Sequence, residues 1–257
     1  MHRLPDFIII GAQRCGTSSL YATLALHPAI LPVRIKELHF FDNADGYNNF
    51  RKGLAWYGRQ FPPKVPGTIT GEASPYYIHH PLVPRRIRAV VPGVKLIAIL
   101  RNPVDRAYSH YWHEACQGFE YLPFDQAVAK EGARLDGEVE RIQADNDYYS
   151  FSHHHHSYKS RGLYVYQLRY WHQFFPREQL LVLKAEEFFG NPQRVLGRVT
   201  EHLGIEPFDF PRIVKVNTGL GGRRPPLDEK LRSALSASLA PYNEELRAYL
   251  GWDSSWE

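Results

Sequence analysis

The stretch Phe7-Ile8-Ile9-Ile10-Gly11-Ala12-Gln13-Arg14-Cys15-Gly16-Thr17-Ser18-Ser19-Leu20 decides the fold. Its opening run is apolar and β-branched, the pattern of a strand buried on both faces of a parallel sheet. From Ser18 to Leu26 a helical pattern follows, with Leu20 and Leu24 on one face. Four residues separate Gly11 from Gly16, which is the spacing of a phosphate-binding loop. Glycine permits the tight turn, backbone N–H groups point into a shared concavity, and the helix N-terminus adds partial positive charge. A nucleoside triphosphatase places Lys after the second Gly, and here that residue is Thr17. The cation of this loop is Arg14. A loop without that Lys suits a donor that lacks a γ-phosphate. A Cys-x5-Arg phosphatase loop is excluded, because Tyr21 stands where its Arg belongs.

Two further buried-strand runs lie at Val94–Leu100 and Leu180–Leu183. Helical patterns fall at Pro103–Cys116, Leu163–Phe175 and Asn191–Leu203, the last opening on a cap residue followed by Pro. A final helical stretch, Leu227–Leu250, is expected to break at Pro241. Alternation of strand and helix indicates an α/β fold with a central parallel β-sheet flanked by helices. No fixed-period repeat or clear linker divides the chain, so residues 1–257 read as a single domain. The polar stretch 132–160 contains four consecutive histidines, His153 to His156, expected in a solvated loop near the acceptor.

Composition bounds the chemistry. The chain has 257 residues, with 31 Lys plus Arg against 27 Asp plus Glu, a net charge of +4 that suggests an anionic ligand. Two cysteines support neither a disulfide framework nor a Cys-rich zinc site. No apolar run is long enough to span a membrane and no signal peptide is evident, so the expected compartment is the cytoplasm. Cys15 reads as a small residue in a tight turn and Cys116 as a helix core residue.

A second anion site repeats the logic of the first. Arg101 ends the strand Lys95–Leu100, where open α/β sheets bind ligands, and Ser109 follows eight residues on. Arg plus a hydroxyl fits a second phosphate. Arg106 reads equally as a helper there or as a salt-bridge partner.

Taken in order, these motifs resemble the sulfotransferases that use 3′-phosphoadenosine 5′-phosphosulfate (PAPS), nearest to the heparan sulfate branch and its bacterial relatives. Gly11-Ala12-Gln13-Arg14-Cys15-Gly16-Thr17-Ser18 is similar to the family's 5′-phosphosulfate loop, and Leu100-Arg101-Asn102-Pro103 through Ser109 to its 3′-phosphate motif. Lys36-Glu37-Leu38-His39-Phe40-Phe41-Asp42, Trp56-Tyr57 through Phe61-Pro62, Gly71-Glu72-Ala73-Ser74-Pro75-Tyr76-Tyr77 and Arg161-Gly162-Leu163-Tyr164 also resemble family segments. The likeness runs from about residue 6 to about residue 225.

The resemblance implies a P-loop-like sulfotransferase fold and in-line attack of an acceptor hydroxyl or amine on the donor sulfur, with adenosine 3′,5′-bisphosphate leaving. It implies no metal. Glu37 is then the general base, worth roughly two to four decades in rate, and His39 orients it or replaces it. If the segment is extended, Glu37 and His39 share one side. Arg14 stands in for the family's loop Lys and neutralises the leaving phosphate. Gly11, Cys15, Gly16, Thr17 and Ser18 cradle the phosphosulfate, Arg101 and Ser109 bind the 3′-phosphate, and Tyr164 lies by the nucleotide. Gly222, Arg223 and Arg224 resemble a basic loop closing over the donor. The heparan enzymes carry Lys where this chain has Ala73. Phe40 and Phe41 read as packing residues, while Trp56, Tyr76 and Tyr77 are candidates to line an acceptor cleft. The acceptor is expected to be a glycan, a hydroxylated lipid or polyketide, or a small molecule, with nucleic acid excluded as a partner. Two other readings fit a phosphate loop: a nucleoside or nucleotide kinase, and a non-catalytic nucleotide- or polyanion-binding module.

Overall fold

The structure, a computed structural model, describes residues 3–46, 48–216, 225–254 and 256. Five strands, β1 (Phe7–Gly11), β2 (Ile30–Pro32), β3 (Ile69–Ala73), β4 (Lys95–Leu100) and β5 (Leu180–Lys184), form one sheet in the order β2-β3-β1-β4-β5. Every pairing is parallel, with Phe7 opposite both Gly71 and Lys95. The sheet is therefore the central parallel one expected from the sequence. The chain moves outward from β1 in both directions, so the crevice at the carboxyl ends of β1 and β4 is where a ligand binds in such a sheet.

The helices of the first half are α1 (Thr17–Leu24), α2 (Gly53–Gly58), α3 (Val83–Val90), α4 (Pro103–Cys116), α5 (Phe124–Leu135) and α6 (Glu138–Ala144). Those of the second half are α7 (Phe151–His155), α8 (Tyr164–Trp171), α9 (Ala185–Gly190), α10 (Pro192–Leu203) and α11 (Glu229–Leu250). β1 and all of β4 but Lys95 are buried throughout, which is why they read as continuous apolar runs. One apolar cluster surrounds the sheet, and a second joins α4, α5 and α11 through Val104, Tyr108, Phe124 and Leu239.

Several expectations are corrected. β2 and β3 carry no strand signal in the sequence. β2 has only three residues, and β3 carries Gly71 and Glu72 where an apolar residue would signal a strand. Glu72 is fully buried yet accepts hydrogen bonds from Tyr57 Oη (2.5 Å), Ser74 Oγ (2.8 Å) and Tyr77 Oη (3.3 Å). Burial raises its pKa to about 7. The last helix does not break at Pro241. It runs through, because buried Leu235 and Leu239 on one side and Leu246 on the other anchor both halves. Asn191 precedes α10 but makes no side-chain cap; Asn102 caps α4 instead, accepting from the backbone of Val104 (3.0 Å) and Asp105 (3.3 Å). Cys116 is exposed rather than a core residue.

The largest correction concerns the histidine run. His153 to His156 are buried, in α7 and at its end, not in a solvated loop. The run is tied into its surroundings: Arg161 donates to the carbonyls of His153 (3.0 Å) and His154 (2.8 Å), and His153 Nδ1 lies 2.6 Å from Tyr76 Oη. Neutral imidazole is flat and stacks like an aromatic ring, so a paired run of histidines packs as core.

Candidate active site

The loop between β1 and α1 opens into a cleft of about 750 Å³. Gly16 takes φ +97°, the left-handed region that favours glycine, and forms the N-terminal boundary of α1. Gly11 has no room for a side chain, since a Cβ there would lie 2.4 Å from Ile78 Cγ2. Arg14, Cys15, Gly16, Thr17 and Ser18 line the cleft. The Cys15 thiol contacts Tyr164 Oη at 3.7 Å, and burial pushes its pKa up to about 11, so it is a protonated packing group.

Arg101 and Ser109 line the same cleft from β4 and α4. Arg14 joins the two candidate anion sites: its Nε donates to Ser109 Oγ at 3.1 Å. Arg101 lies 4.0 Å from Asp105, which pairs with Arg232 at 2.9 Å. Tyr164 differs from expectation. It is buried behind the loop, donating to the Arg101 carbonyl at 2.9 Å, and so braces the two loops rather than facing the cleft. Arg106 is likewise fully buried and donates to the Tyr158 carbonyl; it does not line the cleft, and among the described residues it forms no ion pair. Gly222, Arg223 and Arg224 lie outside the described residues.

Across the cleft stands the Lys36–Asp42 segment. The described non-glycine residues with positive φ are Arg14 (67°), Glu37 (61°) and His39 (44°), all at this site. Each such conformation costs about 1–3 kcal/mol and persists only where the surroundings over-determine it. The surroundings are visible: Ser74 Oγ accepts from the His39 amide (3.3 Å) and Tyr77 Oη from the Phe40 amide (2.8 Å). Both hydroxyls in turn donate to Glu72, which explains the polar centre of β3. Glu37 and His39 therefore share a side through left-handed turns, not through an extended strand.

The side chains form a relay. His39 Nδ1 lies 2.9 Å from buried Asp42, and His39 Nε2 lies 3.5 Å from Glu37. Burial pushes Glu37 up, but the His39 hydrogen bond and the Lys36 ammonium outweigh it and hold the carboxyl at about 2. For His39 burial favours the neutral ring, yet Asp42 and Glu37 raise its pKa well above the ordinary value, so it is an imidazolium. Sequence reasoning missed the part played by Asp42, although it sits three residues from His39 in the segment already singled out.

The remaining wall also held surprises. Tyr76 lines the cleft with His113, Glu114, His154 and His155. His155 Nδ1 bonds Glu114 at 2.7 Å, and its Nε2 bonds Tyr149 Oη at 2.8 Å. Tyr77 is fully buried, and Trp56 stacks on Phe40 at 6.1 Å, so these two pack beneath the segment instead. Among the described residues no group of three or more His, Cys, Asp or Glu is arranged to hold a metal. Nor, among them, is any helix long and apolar enough to cross a membrane.

Comparison with known proteins gives consistent matches. Residues 4–215 match a family model described as a sulfotransferase domain. Human bifunctional heparan sulfate N-deacetylase/N-sulfotransferase 3 is 30% identical over 283 residues, covering 96% of this chain and 30% of that protein. Mouse bifunctional heparan sulfate N-deacetylase/N-sulfotransferase 2 is 32% identical over 235 residues, covering 85% and 24%. The chain thus spans less than a third of the length of the curated relatives it matches. The crystal structure of a sulfotransferase from Alicyclobacillus acidocaldarius superimposes with a TM-score of 0.74 at 30% identity, covering 98% of both chains.

Proposed function

The chain belongs to the sulfotransferase family, and from that premise we propose that it transfers a sulfuryl group from PAPS to an acceptor hydroxyl, with Glu37 as general base. One observation carries the reading: Glu37 faces the same cleft as a glycine-rich loop whose Arg14 reaches the second anion site at Ser109. Two anion sites bridged by a guanidinium suit a donor with a 3′-phosphate and a 5′-phosphosulfate. Residues 1–257 act as one sulfotransferase domain in this reading, located in the cytoplasm.

The donor supplies an activated sulfur, and the protein supplies position and charge. Loop N–H groups and Arg14 neutralise the 5′-phosphate as it becomes the leaving group. Arg101 and Ser109 hold the 3′-phosphate. Glu37 takes the acceptor proton while the imidazolium of His39, fixed by Asp42, keeps the carboxylate aimed at the cleft. The acceptor sits against Tyr76, His113 and His154. The heparan sulfate named for the relatives makes a glycan one candidate, while Ala73, where the resemblance leads one to expect Lys, is buried and brings no positive charge.

Calorimetric titration with adenosine 3′,5′-bisphosphate tests the donor site. Wild type binds it, and Arg101→Ala weakens binding by about 10- to 100-fold, the loss of a charge-assisted phosphate contact. Absence of binding to wild type contradicts the proposed donor.

A further inference from the structure

One cation at the site has no role in the mechanism above. Lys36 precedes Glu37, and its Nζ lies 2.6 Å from Ser18 Oγ on the donor loop while pairing with Glu37 Oε1. It therefore bridges the loop that would hold the donor and the carboxylate that would serve the acceptor. Neither Thr17, after the loop's second glycine, nor buried Ala73, after Glu72, supplies positive charge. Arg14 Nε is directed to Ser109, toward α4. Ser18 and Glu37 both line the cleft, and the Lys36 ammonium is the cation in contact with both.

We propose that Lys36 is the cation that meets the transferring sulfuryl group, and that the bound donor, by drawing Lys36 away from Glu37, releases that carboxylate to act as base. The inference rests on the donor and base assigned above. Without ligand, Glu37 is faced by Lys36 and His39 on its own segment, by Asp42 behind His39, and by His113 from α4. The His39 hydrogen bond and the Lys36 ammonium hold it at about 2 against the upward push of burial, a poor base for a hydroxyl. An anionic donor competes for Lys36, and loss of that ammonium raises the proton affinity of Glu37. The base is thus quenched until the donor is seated. In the transfer, the bond from sulfur to the acceptor oxygen forms as the bond from sulfur to the phosphate oxygen breaks. The electron pair leaves with adenosine 3′,5′-bisphosphate, and the acceptor proton goes to Glu37.

The test compares PAPS with adenosine 3′,5′-bisphosphate, which lacks the sulfuryl group. By calorimetry, Lys36→Met weakens PAPS binding by about tenfold and leaves bisphosphate binding unchanged, which also reports an intact fold. Lys36→Arg retains the preference for PAPS. The carboxyl carbon resonance of Glu37 gives a second readout. Its titration midpoint rises on adding PAPS to wild type, and in Lys36→Met it is raised before any nucleotide is added. Equal loss of both nucleotides, no loss of either, or a Glu37 midpoint insensitive to PAPS overturns the role of Lys36. A wild-type protein that binds neither nucleotide overturns the donor reading itself.

Discussion

Arg14, Glu37 and His39 were singled out by chemistry, and they are also the described non-glycine residues in the left-handed backbone region. Strain concentrated at three site residues, with the His39 and Phe40 amides donating to the Ser74 and Tyr77 hydroxyls, fits a carboxylate that must point in one direction. The His39 cation lowers the pKa of Glu37, so its removal must raise it. In His39→Ala the Glu37 carboxyl resonance should titrate about 1–2 pH units higher than in wild type. An unchanged midpoint would show that His39 does not control the base. That Glu37, Arg14, Arg101 and Ser109 gather at one cleft was legible, because each sits in a short motif at fixed spacing. Asp42 was not, because its contact with His39 depends on a positive φ that sequence does not announce. Tyr164 was assigned to the nucleotide, yet its hydroxyl is spent on the Arg101 carbonyl, a contact made across 63 residues of sequence.

Elements show the same division. β1, β4, β5 and α4 were readable to within a residue or so, because continuous apolar runs and a Pro at a first helical turn are local signals. β3 was hidden because Glu72 enters the core through three hydroxyl partners. α7 was hidden because neutral imidazoles were read as polar. That burial has a consequence for stability. His110, His153 and His154 have pKa values pushed well below 6.5 by burial. The folded protein keeps them neutral while the unfolded chain protonates them, so stability is lost as pH falls through about 6.5. Glu72, raised to about 7, and His39, raised well above 6.5, work in the opposite sense, but His79 and His80, also pushed down by burial, add to the first set and outnumber them. Chemical denaturation should show a lower stability at pH 5.5 than at pH 8, by roughly 1 kcal/mol for each such histidine. Equal or greater stability at pH 5.5 would contradict the buried, neutral state of these histidines.

At the scale of the molecule, a mildly basic composition indicated only an anionic ligand. The fold places the cations: Arg14 and Arg101 line one cleft at the carboxyl ends of β1 and β4, Lys36 reaches two of its lining residues, Ser18 and Glu37, and the sheet order 2-3-1-4-5 puts that cleft at its switch point. The order of the strands was not legible, because pairing β1 with both β3 and β4 is set by crossovers rather than by any single motif. The central claim is that this cleft carries a sulfuryl group from PAPS to a hydroxyl that Glu37 deprotonates. It is tested most directly by following radiolabelled sulfate from PAPS onto a panel of saccharide, lipid and phenol acceptors, with wild type and Glu37→Gln side by side. The account predicts transfer by wild type to at least one acceptor, and a loss of about 10²- to 10⁴-fold in Glu37→Gln with adenosine 3′,5′-bisphosphate affinity unchanged. Full transfer by Glu37→Gln, or no transfer by wild type to any acceptor, would contradict it.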